Sequence, residues 1–317
     1  MNDFPSSEPA SVSPQTFRLG SVPYLNAAPL TWRLEEIAAE NQVTFLRENA
    51  IPSLLAKKLV AGEYDVALIP VAEALRHSEL VQVSDVCIAS EGAVGSVKLL
   101  SRQPLGQIQT IALDEASRSS AAMTLIYLHE RIKNFPQAVP LKWSELLPEA
   151  SENIDFSDSH FLRALGESLA AREIDAILLI GDVALKIPHQ VPSFPYQIDM
   201  GQAWTQWIGL PFVYASWFTR RDVDGERLSW IFNEARRASQ VEMDILILHE
   251  AMKNHLPLDL CYDYLNFKIR YRLGGRERRG VEVFGKMAQK YGLIPLGAGL
   301  EFEANRKRFA HNSSQGS

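Results

Sequence analysis

The sequence predicts an α/β fold in two lobes that are joined by two extended crossings and followed by a helical C-terminal segment. From Phe17 onward, short β-like runs alternate with amphipathic segments of helical length, which is typical of parallel α/β architecture. Two such sets meet near residue 99 and again near residue 212. Beyond Asp222 the hydrophobic pattern is helical throughout.

Composition excludes several classes of protein. The 317 residues are 46% apolar and 22% charged, a globular composition long enough for roughly two domains. The net charge of −6 gives no global attraction for nucleic acid, and no apolar stretch reaches the roughly 18 residues that a membrane span needs. We therefore expect neither nucleic acid nor a membrane as partner.

The N-terminus and the cysteines predict a cytoplasmic protein without a metal. The first seventeen residues contain no Lys or Arg and no apolar core, so they do not resemble a secretory signal. Cys87 and Cys261 lie in apolar stretches without CxxC spacing, which indicates buried, reduced thiols. No HExxH pair is present, and His255 follows His249 at a spacing that places the two on different helix faces.

The elements of the first set follow from hydrophobic runs and their boundaries. Asn26 and Pro29 indicate a helix start, Gly62 a helix end, and Pro70 the end of a buried strand. The predicted strands are 17–22, 43–48, 65–69, 81–88 and 96–101, with helices after residue 26 and at 52–61.

The second set shows the same alternation of strands and helices, and the helical C-terminal segment follows it. Its predicted strands are 110–113, 139–143, 175–180 and 212–218, with helices after 117–120 and at 161–172, an acidic loop at 148–159, and C-terminal helices at 224–239, 242–253, 258–272 and 276–291. The predicted units are a disordered tail at 1–16, a discontinuous lobe at 17–98 and 213–300, a second lobe at 99–212, and a flexible tail at 301–317.

Candidate ligand-binding residues lie where strands end, because open α/β sheets bind ligands beyond the carboxyl ends of their strands. Asn26 follows the first strand, where it can cap a helix or place its amide against a substrate. Ser117, Arg118, Ser119 and Ser120 begin a long helix, where free N–H groups, hydroxyls and a guanidinium can bind a carboxylate. A serine-rich cap with a solvated arginine explains them equally well.

Three further positions carry two interpretations each. Gly181 permits close backbone approach and Asp182 can cap the helix after the strand at 175–180. Ser96 follows two glycines just before the first crossing strand, where a tight turn is the alternative to a functional hydroxyl. Trp204 lies near the second crossing and belongs either to a cleft wall or to the core. The basic run at 270–279 is interpreted as the solvated face of two helices.

Six ordered blocks resemble the chorismate dehydratase family over residues 17–295. They are SVPYLNAAPL, EGAVGSVKLLSR, IALDEASRSSAA, AILLIGDVAL, DMGQAWTQWIGLPFVYASW and YLNFKIRYRLGGRERRGVEVF. The resemblance implies a type 2 periplasmic-binding-protein-like fold and conversion of chorismate, without a cofactor, to 3-[(1-carboxyvinyl)oxy]benzoate and water. The chain departs from the family at Ala27-Ala28 and at Ile208.

The resemblance also implies roles for residues. Asn26 falls on the proposed catalytic asparagine, Ser96 on a serine beside it, and Ser119 and Ser120 on a carboxylate-binding segment. The remaining substrate-binding candidates are Tyr24, Ser117, Arg118, Gly181, Asp182 and Trp204. The expected partner is chorismate alone, with the protein a monomer or a homodimer.

Two other functions compete with the enzyme. A non-catalytic solute-binding protein for a small carboxylate would have the same fold, but such receptors need an export signal. An effector-binding regulator would need a DNA-binding helix pair before Phe17, and the sequence has none. The sequence shows no obvious His or Glu base at a strand end, so we expect the enolpyruvyl carboxylate of the substrate to accept the proton.

Overall fold

A computed structural model describes residues 14–114, 118–141, 146, 157–297 and 299–302. In chain order, the strands of this part are β1 (Gln15–Ser21), β2 (Val43–Asn49), β3 (Val66–Pro70), β4 (Leu80–Ser90), β5 (Val97–Ser101), β6 (Thr110–Leu113), β7 (Gln137–Pro140), β8 (Ala176–Ile180), β9 (Tyr196–Asp199), β10 (Phe212–Arg220), β11 (Arg270–Arg272) and β12 (Glu301–Phe302).

Helices cover both sheets and form most of the C-terminal segment. They are α1 (Ala28–Thr31), α2 (Leu34–Glu40), α3 (Pro52–Val60), α4 (Val71–Ala74), α5 (Arg118–Tyr127), α6 (Ser159–Ala171), α7 (Gly181–Lys186), α8 (Met200–Ile208), α9 (Glu226–Val241), α10 (Met243–Lys253), α11 (Leu258–Asp263) and α12 (Gly275–Lys290). None of these helices combines the length and the apolar character that a bilayer crossing requires.

The strands form two separate sheets, which confirms the predicted two-lobed α/β class. The first sheet has the order β11-β4-β10-β3-β1-β2, with β12 added beside β4. Strands β1, β2 and β3 are parallel, whereas β10 runs antiparallel to both β3 and β4. The second sheet has the order β7-β6-β8-β5-β9, with β6, β7 and β8 parallel. The first sheet therefore contains strands from both ends of the described part of the chain.

The chain passes between the sheets twice, and one residue binds both passages. The first passage is the turn at 91–96 between β4 and β5, and the second runs through α8 into β10, so it is helical before it becomes extended. The Asp199 carboxylate accepts hydrogen bonds from the N–H groups of Val94 (3.0 Å) and Gly95 (2.6 Å) in the first passage. It also caps α8 by accepting from the Gln202 N–H at 3.0 Å.

The C-terminal segment is helical but differs from the prediction at one point. Residues 258–272 were expected to form one helix. Instead, α11 continues as a π-helical turn at Tyr264–Lys268, and β11 then pairs antiparallel with β4. Strand β12 pairs parallel with β4 as well. This end of the chain thus completes the first sheet rather than only covering it.

Apolar side chains of both sheets form the cores. The larger core lies on the first sheet and includes fully buried Leu19, Ala67 and Trp217, and a smaller core lies between the second sheet and α6. Cys87 and Cys261 are both buried free thiols, as predicted. Burial raises the pKa of the Cys261 thiol to about 11, so it is protonated at neutral pH.

Several predictions fall on residues outside the described ranges. They include residues 1–13 of the N-terminal tail, 303–317 of the C-terminal tail, most of the loop at 148–159, and Ser117. The lobe boundaries inferred from the sequence stay a prediction. The sheets themselves are built from residues 15–90, 212–220, 270–272 and 301–302 for the first, and from 97–199 for the second.

Candidate functional site

A cavity lies between the two sheets at the carboxyl ends of four parallel strands. The space between its walls is about 640 Å³ when the open solvent at its mouth is included. Residues that follow β1, β6 and β8 contribute to the wall, together with Leu68 and Pro70 at the end of β3 and Ser96 from the first passage between the sheets. The strand ends that the sequence selected therefore converge on one cavity.

Six of the ten predicted site residues line this cavity. They are Tyr24, Asn26, Ser96, Ser119, Ser120 and Gly181. Arg118, Asp182 and Trp204 are not among the lining residues, and Ser117 lies outside the described part of the chain.

Asn26 does not act as a helix cap, so that interpretation is wrong. It lies inside a short 3₁₀ turn at Leu25–Ala27, and α1 begins only after it, with Ala27 at the N-cap position. The Asn26 Oδ1 atom is buried and has no hydrogen-bond partner in the described part of the chain. A buried carbonyl oxygen without a partner is costly, and a ligand hydroxyl in the cavity would supply the missing donor.

Ser96 is held rigidly at the end of the first passage. Gly95 before it has φ +75°, a left-handed conformation that glycine adopts without strain. The Ser96 carbonyl accepts the Gly181 N–H at 2.8 Å, and the Ser96 Oγ atom accepts a hydrogen bond from the Tyr264 hydroxyl at 2.8 Å. Because its oxygen already accepts, the Ser96 hydroxyl is left to donate.

Ser119 and Ser120 lie in the first turn of α5, where backbone N–H groups have no partner within the helix. The Ser119 hydroxyl donates to the Tyr214 carbonyl at 2.9 Å and accepts the Ala72 N–H at 3.1 Å. This hydroxyl therefore fixes α5 against α4 and β10. What this turn offers a carboxylate is its N–H groups and the Ser120 hydroxyl.

Arg118 is not among the described residues that line the cavity. Its exposed guanidinium lies 3.8 Å from the Glu73 carboxylate, so it forms a surface ion pair rather than the two-pronged carboxylate contact that the sequence suggested. The solvated arginine, which was the alternative, describes its position in the structure.

Gly181 and Asp182 bring the second sheet against the first. Gly181 has φ +66°, and a Cβ atom there would lie 3.6 Å from the Tyr24 ring. Asp182 does not cap α7, whose N-cap position is Ile180; its two oxygens instead accept the Leu25 N–H at 3.3 Å each. Burial raises the pKa of Asp182 to about 6, although the Leu25 N–H and the Lys186 charge oppose the rise.

Trp204 belongs to the core. It is fully buried, with its ring centroid 5.1 Å from that of Phe212 and 6.3 Å from that of Phe284. Of the two interpretations of Trp204, the structure supports the core. This packing gives no support for contact between Trp204 and a substrate.

The sequence analysis did not select two tyrosines that lie at the site. Tyr214 on β10 lines the cavity and shares a hydrogen bond of 3.0 Å with the Ser90 hydroxyl, and Tyr264 lies behind Ser96. Burial raises the pKa of both phenols. Tyr214 sits in a run read only as an apolar strand. Tyr264 is the first residue of the last of the six blocks, and that position is the one feature of the sequence that pointed to it.

The cavity wall carries no ionisable group that titrates near neutral pH. Among the described residues that line it, none is Lys, Arg, His, Asp or Glu. Burial and the nearby charges of Asp114 and Asp182 raise the pKa of Tyr24 to about 12, so this phenol is a neutral donor. The described part of the wall therefore offers a ligand amides, hydroxyls and N–H groups, and none of its residues there is a side-chain base.

Comparison with solved structures identifies the fold. The X-ray structure of protein AF1704 from Archaeoglobus fulgidus aligns with a TM-score of 0.63 at 15% identity, covering 88% of this chain and 98% of that one. The periplasmic aliphatic sulphonate binding protein SsuA from Escherichia coli aligns with a TM-score of 0.56 at 14% identity, covering 90% of each chain. The two-lobed architecture is therefore that of the periplasmic-binding-protein-like folds.

Sequence comparison then identifies the family. The model of the menaquinone biosynthesis family matches residues 17–157 and 161–290, so the chain belongs to that family. A chorismate dehydratase from Thermus thermophilus is 27% identical over 286 residues, which are 84% of this chain and 93% of the relative.

Proposed function

We propose that this protein is a chorismate dehydratase, a hydro-lyase that converts chorismate to 3-[(1-carboxyvinyl)oxy]benzoate and water. The proposal is supported by the family match and by the chorismate dehydratase at 27% identity. A cytoplasmic location, which is consistent with a biosynthetic family, is part of the proposal.

The observation that carries the proposal is the neutral cavity containing Asn26 and Ser96. Loss of the C3 hydrogen and the C4 hydroxyl makes the chorismate ring aromatic, so the overall reaction is strongly downhill. The enzyme then needs mainly to orient the substrate and to polarise two bonds. A wall of hydrogen-bonding groups without a side-chain base suits this requirement.

The first step is proton removal at C3. The ring carboxylate activates the C3–H bond through the diene, and the negative charge that develops is spread onto that carboxylate. The N–H groups at the start of α5 and the Ser120 hydroxyl would stabilise it there. The carboxylate of the substrate's own enolpyruvyl group accepts the C3 proton.

The second step is departure of the C4 hydroxyl. The electron pair from C3 forms the new C3–C4 double bond while the C4–O bond breaks, and the departing hydroxide takes the proton from the enolpyruvyl carboxyl group to become water. Ser96 donates a hydrogen bond to this oxygen, and Asn26 orients the reacting groups with the Oδ1 atom that has no protein partner. Tyr24, packed on Gly181, contributes a neutral donor where the two lobes meet.

The test is the substitution Asn26→Ala. The variant is expected to keep the circular dichroism spectrum of the wild type and to lose at least about a hundredfold in kcat, since an orienting group for the transition state is removed. Turnover is followed by the loss of the diene absorbance of chorismate and the appearance of the aromatic ether. The matched control is Asn266→Ala, an exposed asparagine outside the cavity, which should turn over like the wild type.

Two results would contradict the proposal at different levels. Wild-type turnover by Asn26→Ala would remove Asn26 from the mechanism. A wild-type protein that leaves chorismate unchanged would refute the enzymatic function.

The second candidate function is a non-catalytic binding protein for a small carboxylate. The fold similarity to a sulphonate-binding protein favours it, because that relative recognises an anion with the same architecture. Calorimetric binding of chorismate without its conversion would support this candidate over the enzyme.

A further inference from the structure

The Tyr264 phenol is a buried donor directly behind the cavity wall. Only 1% of its surface is exposed, and it occupies the π-helical turn at Tyr264–Lys268, a kind of local distortion that is frequent at functional sites. Its hydroxyl donates to the Ser96 Oγ atom at 2.8 Å. Tyr264 itself is not among the residues that line the cavity.

This contact makes the Ser96 oxygen an acceptor and leaves its proton to donate elsewhere. A serine hydroxyl has one proton and can rotate to any acceptor within reach. Tyr264 donates to the Ser96 oxygen and the Gly181 N–H donates to the Ser96 carbonyl, so neither contact uses the Ser96 hydroxyl proton, which stays available to an acceptor in the cavity. Donors in a chain also polarise one another, so the Tyr264 contact strengthens Ser96 as a donor.

Tyr264 is a neutral, protonated phenol at neutral pH. Burial is the main cause that raises its pKa, while its contacts with the Ser96 hydroxyl and the Asn26 amide lower it by less. The phenol therefore contacts both residues to which the reaction is assigned. It does so without changing charge.

We propose that Tyr264 is a positioning residue that fixes the Ser96 hydroxyl as the hydrogen-bond donor to the leaving hydroxyl of the substrate. The inference rests on the proposed dehydratase function, and it assigns the task to a residue in the C-terminal segment. A phenylalanine would fill the same space but would leave the Ser96 hydroxyl free to rotate.

The experiment is a double-mutant cycle with Tyr264→Phe, Ser96→Ala and the combined variant, with chorismate as substrate. We expect kcat to fall about tenfold in Tyr264→Phe and about a hundredfold in Ser96→Ala, with KM changed less than kcat in both. Because Tyr264 acts through Ser96, the combined variant should lose about a hundredfold and no more. A loss of about a thousandfold would mean independent effects and would overturn the proposal.

The control separates this role from a general effect of losing a buried phenol. Tyr271 is 6% exposed, and its hydroxyl has no hydrogen-bond partner within the described residues. Tyr271→Phe should therefore leave kcat and KM unchanged. An equal loss of kcat in Tyr271→Phe and Tyr264→Phe would also overturn the proposal.

A binding measurement distinguishes failure of this inference from failure of the proposed function. The probe is 3,4-dihydroxybenzoate, a stable ring with a carboxylate and a hydroxyl at the position of the leaving group, and its affinity for the four proteins is measured by calorimetry. Tyr264→Phe should weaken binding in the wild type but not in the Ser96→Ala background. Coupled binding without any turnover of chorismate would refute the function and retain the inference. Turnover with additive effects would do the reverse, and neither turnover nor probe binding in the wild type would overturn both.

Discussion

Asp182 is a residue whose protonation links stability to pH. Its carboxylate holds the turn that carries Asn26, yet burial raises its pKa to about 6. An unfolded aspartate titrates near pH 3.9. Between about pH 4 and 6 the folded protein thus keeps a proton that the unfolded chain has released. Raising the pH through this window therefore lowers the free energy of unfolding.

The substitution Asp182→Asn should remove this dependence. The asparagine oxygen can still accept the Leu25 N–H, and no charge has to be buried at neutral pH. We expect the variant to match the wild type near pH 4 and to exceed its free energy of unfolding by about 2 kcal/mol at pH 7. Urea unfolding at pH 4, 5, 6 and 7 measures the difference, and a difference that does not vary with pH would contradict the assignment.

At the scale of single residues, the expectation that ligands bind beyond the carboxyl ends of strands located the site. The role of each residue there depends on its tertiary contacts. Asn26 follows from where the first strand ends, whereas Ser96 follows from the two glycines before the first crossing strand and from the family resemblance. Whether Asn26 caps a helix depends on α1 starting at Ala28, which no local pattern specifies. Tyr264 could not be assigned at all, because its partner Ser96 is 168 positions away in the chain. Contacts of that separation arise only from the tertiary fold.

At the scale of elements, helix α12 depends on one glycine. A Cβ atom at Gly280 would collide with the Pro211 carbonyl oxygen, which lies just before β10. The helix therefore approaches the backbone of the first sheet more closely than any side chain allows. Its neighbour in space is the strand that also supplies Tyr214 to the cavity wall.

We expect Gly280→Ala to lower the free energy of unfolding by about 3 kcal/mol, because the helix must shift away from β10. The control is Gly275→Ala in the first turn of the same helix, where nothing lies within 4 Å of the added atom. That variant should be neutral or slightly stabilising. Denaturant unfolding compares the two, and equal effects would disprove a steric origin.

Elements with a long hydrophobic period were predictable, and short ones were not. The strand at 175–180 follows from its apolar run, and three of the four predicted C-terminal helices follow from periodicity. Strand β11 has only three residues, which are too few to show a two-residue period. The sequence analysis therefore included them in the predicted helix at 258–272. Strand β9 was not predicted, although Asp199 at its end binds both passages between the sheets.

At the scale of the whole molecule, Asp199 connects the two lobes at their junction. Its carboxylate satisfies three backbone N–H groups, two in the turn before Ser96 and one at the start of α8. The position of Ser96 relative to the second sheet therefore depends on this side chain.

Asp199→Ala is expected to lower the free energy of unfolding by about 2 to 3 kcal/mol and to reduce turnover of chorismate at least about tenfold. The matched control is Asp158→Ala, which removes a cap that accepts the His160 N–H at α6. That variant should lose about 1 kcal/mol of stability and keep its turnover. Thermal unfolding and the chorismate assay test both variants, and full activity of Asp199→Ala would show that the junction does not position Ser96.

The antiparallel pairing of β4 with β10 has a consequence for how the chain folds. Ser90 lies opposite Phe212, so two neighbouring strands of one sheet are separated by the entire second sheet. During synthesis, β4 leaves the ribosome long before its partner exists, and its edge stays open meanwhile. Contacts of such high sequence separation slow folding, because the entropy of closing the loop is lost before the contact forms. The segment between β4 and β10, which contains the second sheet, can fold first. The first sheet is completed only when β10 then pairs with β4.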